Sequence, residues 1–210
     1  MLCEGVYLPD GEVHFRDTLT ALASEGRSAF YPVLAAALLQ VTARRRAIDI
    51  GAHVGLWSRW LVSEFNWVDA FEPIPEHAKL FRRNIDGSNW TLHEMALGAH
   101  EGLVGMKSFV SDTGRAHICA GNDIRLQKLD NYGFSDVDLI KIDVEGYELP
   151  VVIGAEQTLK RNKPIVIIEQ RGCEVTNFGE SSRDHALVHL IEIGMYPMQR
   201  VGHDWIMGWP

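Results

Sequence analysis

Short apolar runs alternate along this chain with segments whose apolar positions recur every three to four residues. Leu34, Ala35, Leu38, Leu39 and Val41 fall at near-helical spacing and predict an amphipathic helix that stops before Arg44. From there the pattern predicts a strand over 47–50, a helix over 56–62, a strand over 67–71, a helix over 75–85 and a strand over 91–97. Strands separated by helix-length crossovers pair in parallel, so the expected class is α/β, with helices on both faces of a mostly parallel sheet. The alternation lapses between Gly98 and Gly133 into shorter β-like pieces over 103–110 and 124–129. It resumes with a nearly continuous apolar strand over 137–144, a helix over 147–160 and a strand over 165–169. Pro150 is tolerated in that helix because the first turn has no use for its missing N–H. A helix over 184–193 and two strands, 196–201 and 205–209, follow; Gly202-His203-Asp204 joins the strands as a hairpin and so supplies one antiparallel strand.

No repeat or Pro/Ser-rich linker divides the chain, and 210 residues suffice for one well-buried core. The expected organisation is a helical and irregular segment over 1–46 packed on the core, then the main domain over 47–210 with an insertion at about 98–133. Hydrophobic residues at 46% and charged residues at 23% are those of an ordinary globular protein. A formal charge of −8 repels phosphate backbones, so nucleic acid is not an expected partner. Cys3, Cys119 and Cys173 are too scattered for a disulfide framework or a zinc site, which fits a reducing compartment. The most apolar stretch, 30–41, contains Pro32 and ends at Arg44-Arg45-Arg46, short of the roughly 20 residues a membrane span requires. The first residues lack the pattern of a secretory signal. The expectation is a cytoplasmic protein with no membrane partner; a homo-oligomer is compatible with the sequence.

Three motifs carry chemistry. Asp49-Ile50-Gly51-Ala52-His53-Val54-Gly55 runs from a strand end through a glycine turn, where the backbone can approach a ligand closely. A tight βα turn without a ligand has the same appearance. The spacing departs from G-x-G-x-x-G, which counts against a dinucleotide pyrophosphate. Glu72, in Phe71-Glu72-Pro73 at the end of the next strand, lies roughly 20 positions on, where an acidic residue accepts hydrogen bonds from ribose hydroxyls. The third motif is Asp138-Leu139-Ile140-Lys141-Ile142-Asp143-Val144-Glu145-Gly146-Tyr147-Glu148. Lys141, Asp143 and Glu145 interrupt it at period two, so they share one side at a strand mouth and must pair with each other or with a ligand. Glu169 ends the following strand at the same sheet edge, where doubly wound folds bind ligands.

These motifs, with Ala96-Leu97-Gly98, Leu129-Asp130, Gly154-Ala155 and Ile168-Glu169, resemble the FkbM-type S-adenosylmethionine-dependent methyltransferases over about residues 47–170. The resemblance implies a seven-stranded, mostly parallel sheet of Rossmann-like methyltransferase type, with the terminal hairpin giving the reversed strand. S-adenosylmethionine is the implied cofactor, and methyl transfer to oxygen of a small molecule or glycan the implied reaction. Asp49, Gly51, His53, Gly55, Glu72, Met95, Ala96 and Asp143 are the implied cofactor residues: Gly51, His53 and Gly55 at the methionine end, Glu72 at the ribose, Met95 and Ala96 at the adenine edge, Asp143 closing the site. Family members commonly carry Asn where this chain has His53. Asp143, Glu145, His117 and Glu169 are the candidates for a general base. Asp143, Glu145 and Glu169 also offer oxygens to a hard cation, although no metal is assigned. Two other readings stay open: a catalytically silent cofactor-binding or interaction module, and a nicotinamide-dependent oxidoreductase.

Overall fold

A computed structural model describes residues 1–26, 30–170 and 185–210. In chain order the elements are β1 (Leu2–Cys3), β2 (Val6–Tyr7), α1 (His14–Ser24), α2 (Tyr31–Leu38), β3 (Arg46–Ile50), α3 (Ser58–Glu64), β4 (Trp67–Phe71), α4 (Pro75–Asn84), β5 (Trp90–His93), β6 (Ala96–Leu97), β7 (Gly102–Lys107), β8 (His117–Gln127), β9 (Val137–Ile142), α5 (Glu148–Gly154), α6 (Glu156–Asn162), β10 (Ile165–Glu169), α7 (His185–Glu192), β11 (Tyr196–Val201) and β12 (Asp204–Gly208). Seven strands form the main sheet in the order β11-β12-β10-β9-β3-β4-β5. The pairings among β10, β9, β3, β4 and β5 are parallel, and β12 runs against both of its neighbours. Among the described residues the hairpin therefore supplies the one reversed strand of this sheet, as expected.

Alternation along the strands sorts the core into two layers. Ile48, Ile50, Ile140, Ile142 and Ile168 pack with Val151, Leu159 and Leu187 of α5, α6 and α7. Ala47, Leu139, Ile167 and Ile206 face the other way, against Val33 and Leu34 of α2 and Leu61 of α3. Asp49 and Lys141 lie on this second side and are register partners across β3 and β9. Among the described residues no helix is long and apolar enough to cross a membrane.

Three expectations are corrected. The strand expected over 91–97 is two: β5 ends at His93, the backbone turns with Met95 N donating to His93 O (3.0 Å), and β6 joins a second sheet. The β-like pieces expected within 98–133 are present with other bounds, since β7 ends at Lys107 and β8 begins at His117, and with β6 they form a three-stranded sheet. The helix expected over 147–160 breaks at Ala155, because the Asp130 carboxylate caps a fresh start. It accepts from Gln157 N at 3.0 Å, and from Thr158 N and Thr158 Oγ1 at 2.8 Å each. The end expected at Asp184 lies outside the described residues, as does Cys173; Cys3 and Cys119 are free thiols.

Candidate functional site

β3 and β9 are adjacent, and the chain leaves them toward opposite edges of the sheet, so a crevice opens beyond their carboxyl ends. The glycine turn after β3 fills its floor. Gly51 has φ +78°, and a Cβ there would overlap the carbonyl oxygen of Asp143, so two requirements exclude a side chain. His53 takes the left-handed region at φ +52°, which Asn tolerates better than most residues. The turn is tied to the neighbouring strand end, since the buried Glu72 carboxylate accepts from His53 N at 2.8 Å and from Ile74 N at 2.9 Å. His77 Nδ1 on α4 stands 3.3 Å from the same carboxylate.

Lys141 braces the turn from below. Its buried ammonium donates to Gly51 O at 3.0 Å and lies 3.4 Å from Asp49 and 3.5 Å from Asp143. Burial alone would lower its pKa, but the charges of Asp143, Asp49, Glu169 and Asp204 outweigh it and hold the pKa above the ordinary lysine value. The charged form is thus favoured. Asp49 is fully buried and also accepts from Ser58 Oγ at 2.6 Å. Across the crevice the chain after β9 takes positive φ at Glu145 (53°) and Gly146 (99°). That bend is held by Glu148, whose Oε1 accepts from Gly146 N at 3.1 Å and Val144 N at 3.3 Å. Burial, opposed by the Gly146 N–H, pushes the Glu148 pKa up.

The crevice holds a partly open pocket of about 550 Å³, solvent-facing space included, whose walls include Gly51, His53, Glu72, Met95, Asp143 and Thr113. Its roof comes from the insertion, through Thr113, Gly114 and Ala116 before β8. The N-terminal arm holds this roof down. The fully buried Glu12 carboxylate accepts from Thr113 N at 2.6 Å and Thr113 Oγ1 at 2.5 Å, and from Phe15 N at 3.0 Å. Val13 N and His14 N both donate to Ser111 O at 3.1 Å. His53 Nε2 meets Thr113 Oγ1 at 2.8 Å, while its buried Nδ1 has no hydrogen-bond partner among the described residues. Burial, with His77 and Lys141 adding to it, holds the His53 imidazole well below the usual histidine range, so it is neutral at neutral pH.

Gly51, His53, Glu72, Met95, Ala96, Asp143 and Glu145 therefore line one cavity. Two other residues read as cofactor contacts do not: Asp49 lies beneath the floor, and Gly55 gives close room to Phe81 and Ile85 behind it. Glu169 is not part of the wall, although its carboxylate lies within 4.8 Å of those of Asp143 and Glu145, where a hard cation would find oxygen ligands. His117 is also off the wall, its Nδ1 3.1 Å from Arg115 O and its ring 5.9 Å from that of Phe109. Sequence reasoning missed Glu12 and His77. Glu12 sits in a segment without periodicity, and His77 looks like one more polar residue on an amphipathic helix.

Residues 122–193 match the model of the methyltransferase FkbM domain. The match covers about a third of the chain and is a likeness to that domain. The methyltransferase FkbM from Methylobacillus flagellatus KT is similar in structure at a TM-score of 0.51 and 19% identity, over 78% of this chain and 43% of that one. This chain thus spans under half the length of that protein. A TehB-like SAM-dependent methyltransferase from Corynebacterium glutamicum is similar at a TM-score of 0.52 and 12% identity, over 93% and 96% of the two chains. Precorrin-6y C5,15-methyltransferase from Geobacter metallireducens GS-15 is similar at 0.50 and 16%, over 83% and 86%. No curated protein sequence matches the chain. At these identities the structural likenesses show the fold, which is the Rossmann-like fold of methyltransferases.

Proposed function

We propose that the protein transfers the methyl group of S-adenosylmethionine to a hydroxyl oxygen of a small molecule or glycan. The observation that carries this reading is the closure of the glycine turn onto a buried strand-end carboxylate, Glu72, inside the cavity whose far wall holds Asp143 and Glu145. The residues fit the cofactor: Gly51 leaves its backbone bare for close approach, and His53, whose ring Nδ1 is buried with no partner among the described residues, lines the cavity. Gly51 and Asp143 would hold the methionine end, Glu72 the ribose, and Met95 with Ala96 the adenine edge. When bound, the cofactor supplies an electrophilic methyl on a sulfonium.

The chain's own part is orientation and proton handling. Lys141 fixes Gly51 and Asp143 relative to each other, and the segment through Thr113 walls the pocket on the insertion side. Asp143 stands next to the glycine turn and takes the acceptor's proton or holds its hydroxyl in line. Glu145, two residues on at the bend, grips the acceptor. His117 has no role in this scheme because it lies off the cavity wall.

Calorimetry with S-adenosylmethionine and S-adenosylhomocysteine tests cofactor binding; no heat and no thermal stabilisation at millimolar ligand would remove the reading. A screen of hydroxylated small molecules and glycans with methyl-labelled cofactor tests the transfer. With an acceptor found, Asp143→Asn is expected to lower turnover about a hundredfold, and Glu145→Gln to raise the acceptor KM. Both variants at full activity would make the carboxylates structural. Cofactor binding with no transfer to any acceptor would favour the silent binding module.

A further inference from the structure

The N-terminal arm reaches the cofactor cavity through a chain of three side chains whose protons can be assigned. Glu12 accepts two backbone N–H groups, from Thr113 on Oε2 and from Phe15 on Oε1, and it also stands 2.5 Å from the Thr113 hydroxyl. A carboxylate only accepts, so the single hydroxyl proton of Thr113 goes to Glu12. The Thr113 oxygen then faces His53 Nε2 at 2.8 Å with lone pairs alone, and the imidazole must donate from Nε2. In a neutral ring this leaves Nδ1 as a bare acceptor. Nδ1 is buried and without a partner among the described residues, and such an atom is costly unless something donates to it.

What donates is limited by position. His53 lines the cavity, and its own backbone N–H lies on the Glu72 carboxylate, so imidazole and carboxylate border the same end of the space. A vicinal diol offers two O–H donors to such a pair of acceptors. We propose that the Glu12–Thr113–His53 relay presents the His53 Nδ1 lone pair to one ribose hydroxyl of the nucleoside cofactor, beside Glu72, and so makes the arm over residues 9–15 part of the binding site. The inference rests on the nucleoside reading of this cavity. The low pKa of His53 agrees with it, since a protonated ring would have no lone pair to offer. Arm and ligand are then coupled through one side chain. A ligand that engages His53 stabilises the contact between arm and roof, and the arm in turn holds His53 in the accepting tautomer. Thr113 and Glu12 are positioning residues in this scheme.

The test uses the full chain and three probes, S-adenosylhomocysteine and its 2′-deoxy and 3′-deoxy analogues, measured by calorimetry. Wild type is expected to bind each deoxy analogue about tenfold more weakly than the parent, the loss of roughly one hydrogen bond. His53→Asn, which keeps a residue tolerant of positive φ but too short to reach, should bind the parent about tenfold more weakly. One of the two analogues should then lose its penalty. Long-range proton–nitrogen spectra of the free protein at neutral pH should show Nδ1 unprotonated, and Thr113→Val should abolish that tautomer preference. If S-adenosylhomocysteine binds but both analogues keep their full penalty in His53→Asn, the inference is overturned while the proposed function stands. The same holds if Nδ1 carries the proton in wild type. If wild type binds none of the three probes, the nucleoside reading fails and the inference falls with it.

Discussion

The buried ammonium of Lys141 makes a demanding prediction about stability. It lies among three oxygens, Gly51 O at 3.0 Å, Asp49 at 3.4 Å and Asp143 at 3.5 Å, and next to the Trp57 ring at 5.8 Å. Lys141→Met fills nearly the same volume but leaves Asp49 charged, fully buried and supported only by Ser58 Oγ at 2.6 Å. Removing one member of a buried pair costs about 3–5 kcal/mol, because the other charge stays desolvated. For a chain of this size that corresponds to a fall in Tm of about 6–20 °C. Urea and thermal unfolding would measure it. Asp49→Asn combined with Lys141→Met should lose less than half as much, since the stranded charge is gone. The folded pKa of Lys141 is raised above 10.5, so its contribution is fully present below that value and is lost as pH climbs through the folded pKa. Unfolding of Lys141→Met within about 1 kcal/mol of wild type, the range of an ordinary surface change, would refute this reasoning. The same variant should also weaken S-adenosylhomocysteine binding, because Gly51 O loses its donor.

Other expectations follow from single contacts. Glu72→Ala should weaken S-adenosylhomocysteine binding by about 1–3 kcal/mol, the value of hydrogen bonds to a charged group; an unchanged Kd in calorimetry would leave Glu72 a structural tie for His53 N and Ile74 N. Gly154→Ala would drive a Cβ into the carbonyl of Gly98, where α5 crosses the turn after β6, and should destabilise by about 1–3 kcal/mol in urea unfolding. Burial raises the folded pKa of Glu148 above 4.5, so wild type is penalised increasingly as pH rises from 4.5 through the folded value. Glu148→Gln keeps the acceptor for Val144 N and Gly146 N without the charge, and should gain stability relative to wild type over that window; parallel stability curves across pH would contradict this.

The main sheet and its candidate ligand edge were legible in the sequence because both depend on local periodicity. Alternating residues such as Ile140 and Ile142 against Leu139 and Lys141 assign strand faces, and helix-length crossovers require parallel pairing. The reversed strand came from the Gly202 hairpin for the same local reason. The glycine turn and Glu72 were legible because strand ends carry a predictable place in a doubly wound sheet. Everything that depends on contacts between distant segments was decided only by the tertiary structure. Periodicity cannot show that Asp130 caps α6 and splits an apparently continuous helix, or that β6 leaves the main sheet for β7 and β8. Nor can it show that Lys141 reaches Gly51 O, that Gly55 packs behind the floor rather than facing it, or that His117 stands off the cavity. Glu12 is the clearest case: its carboxylate bonds Thr113 across 101 positions of chain. A hydrogen bond between segments so far apart leaves no spacing in the sequence, since the intervening chain fixes neither their distance nor their orientation until the core has packed.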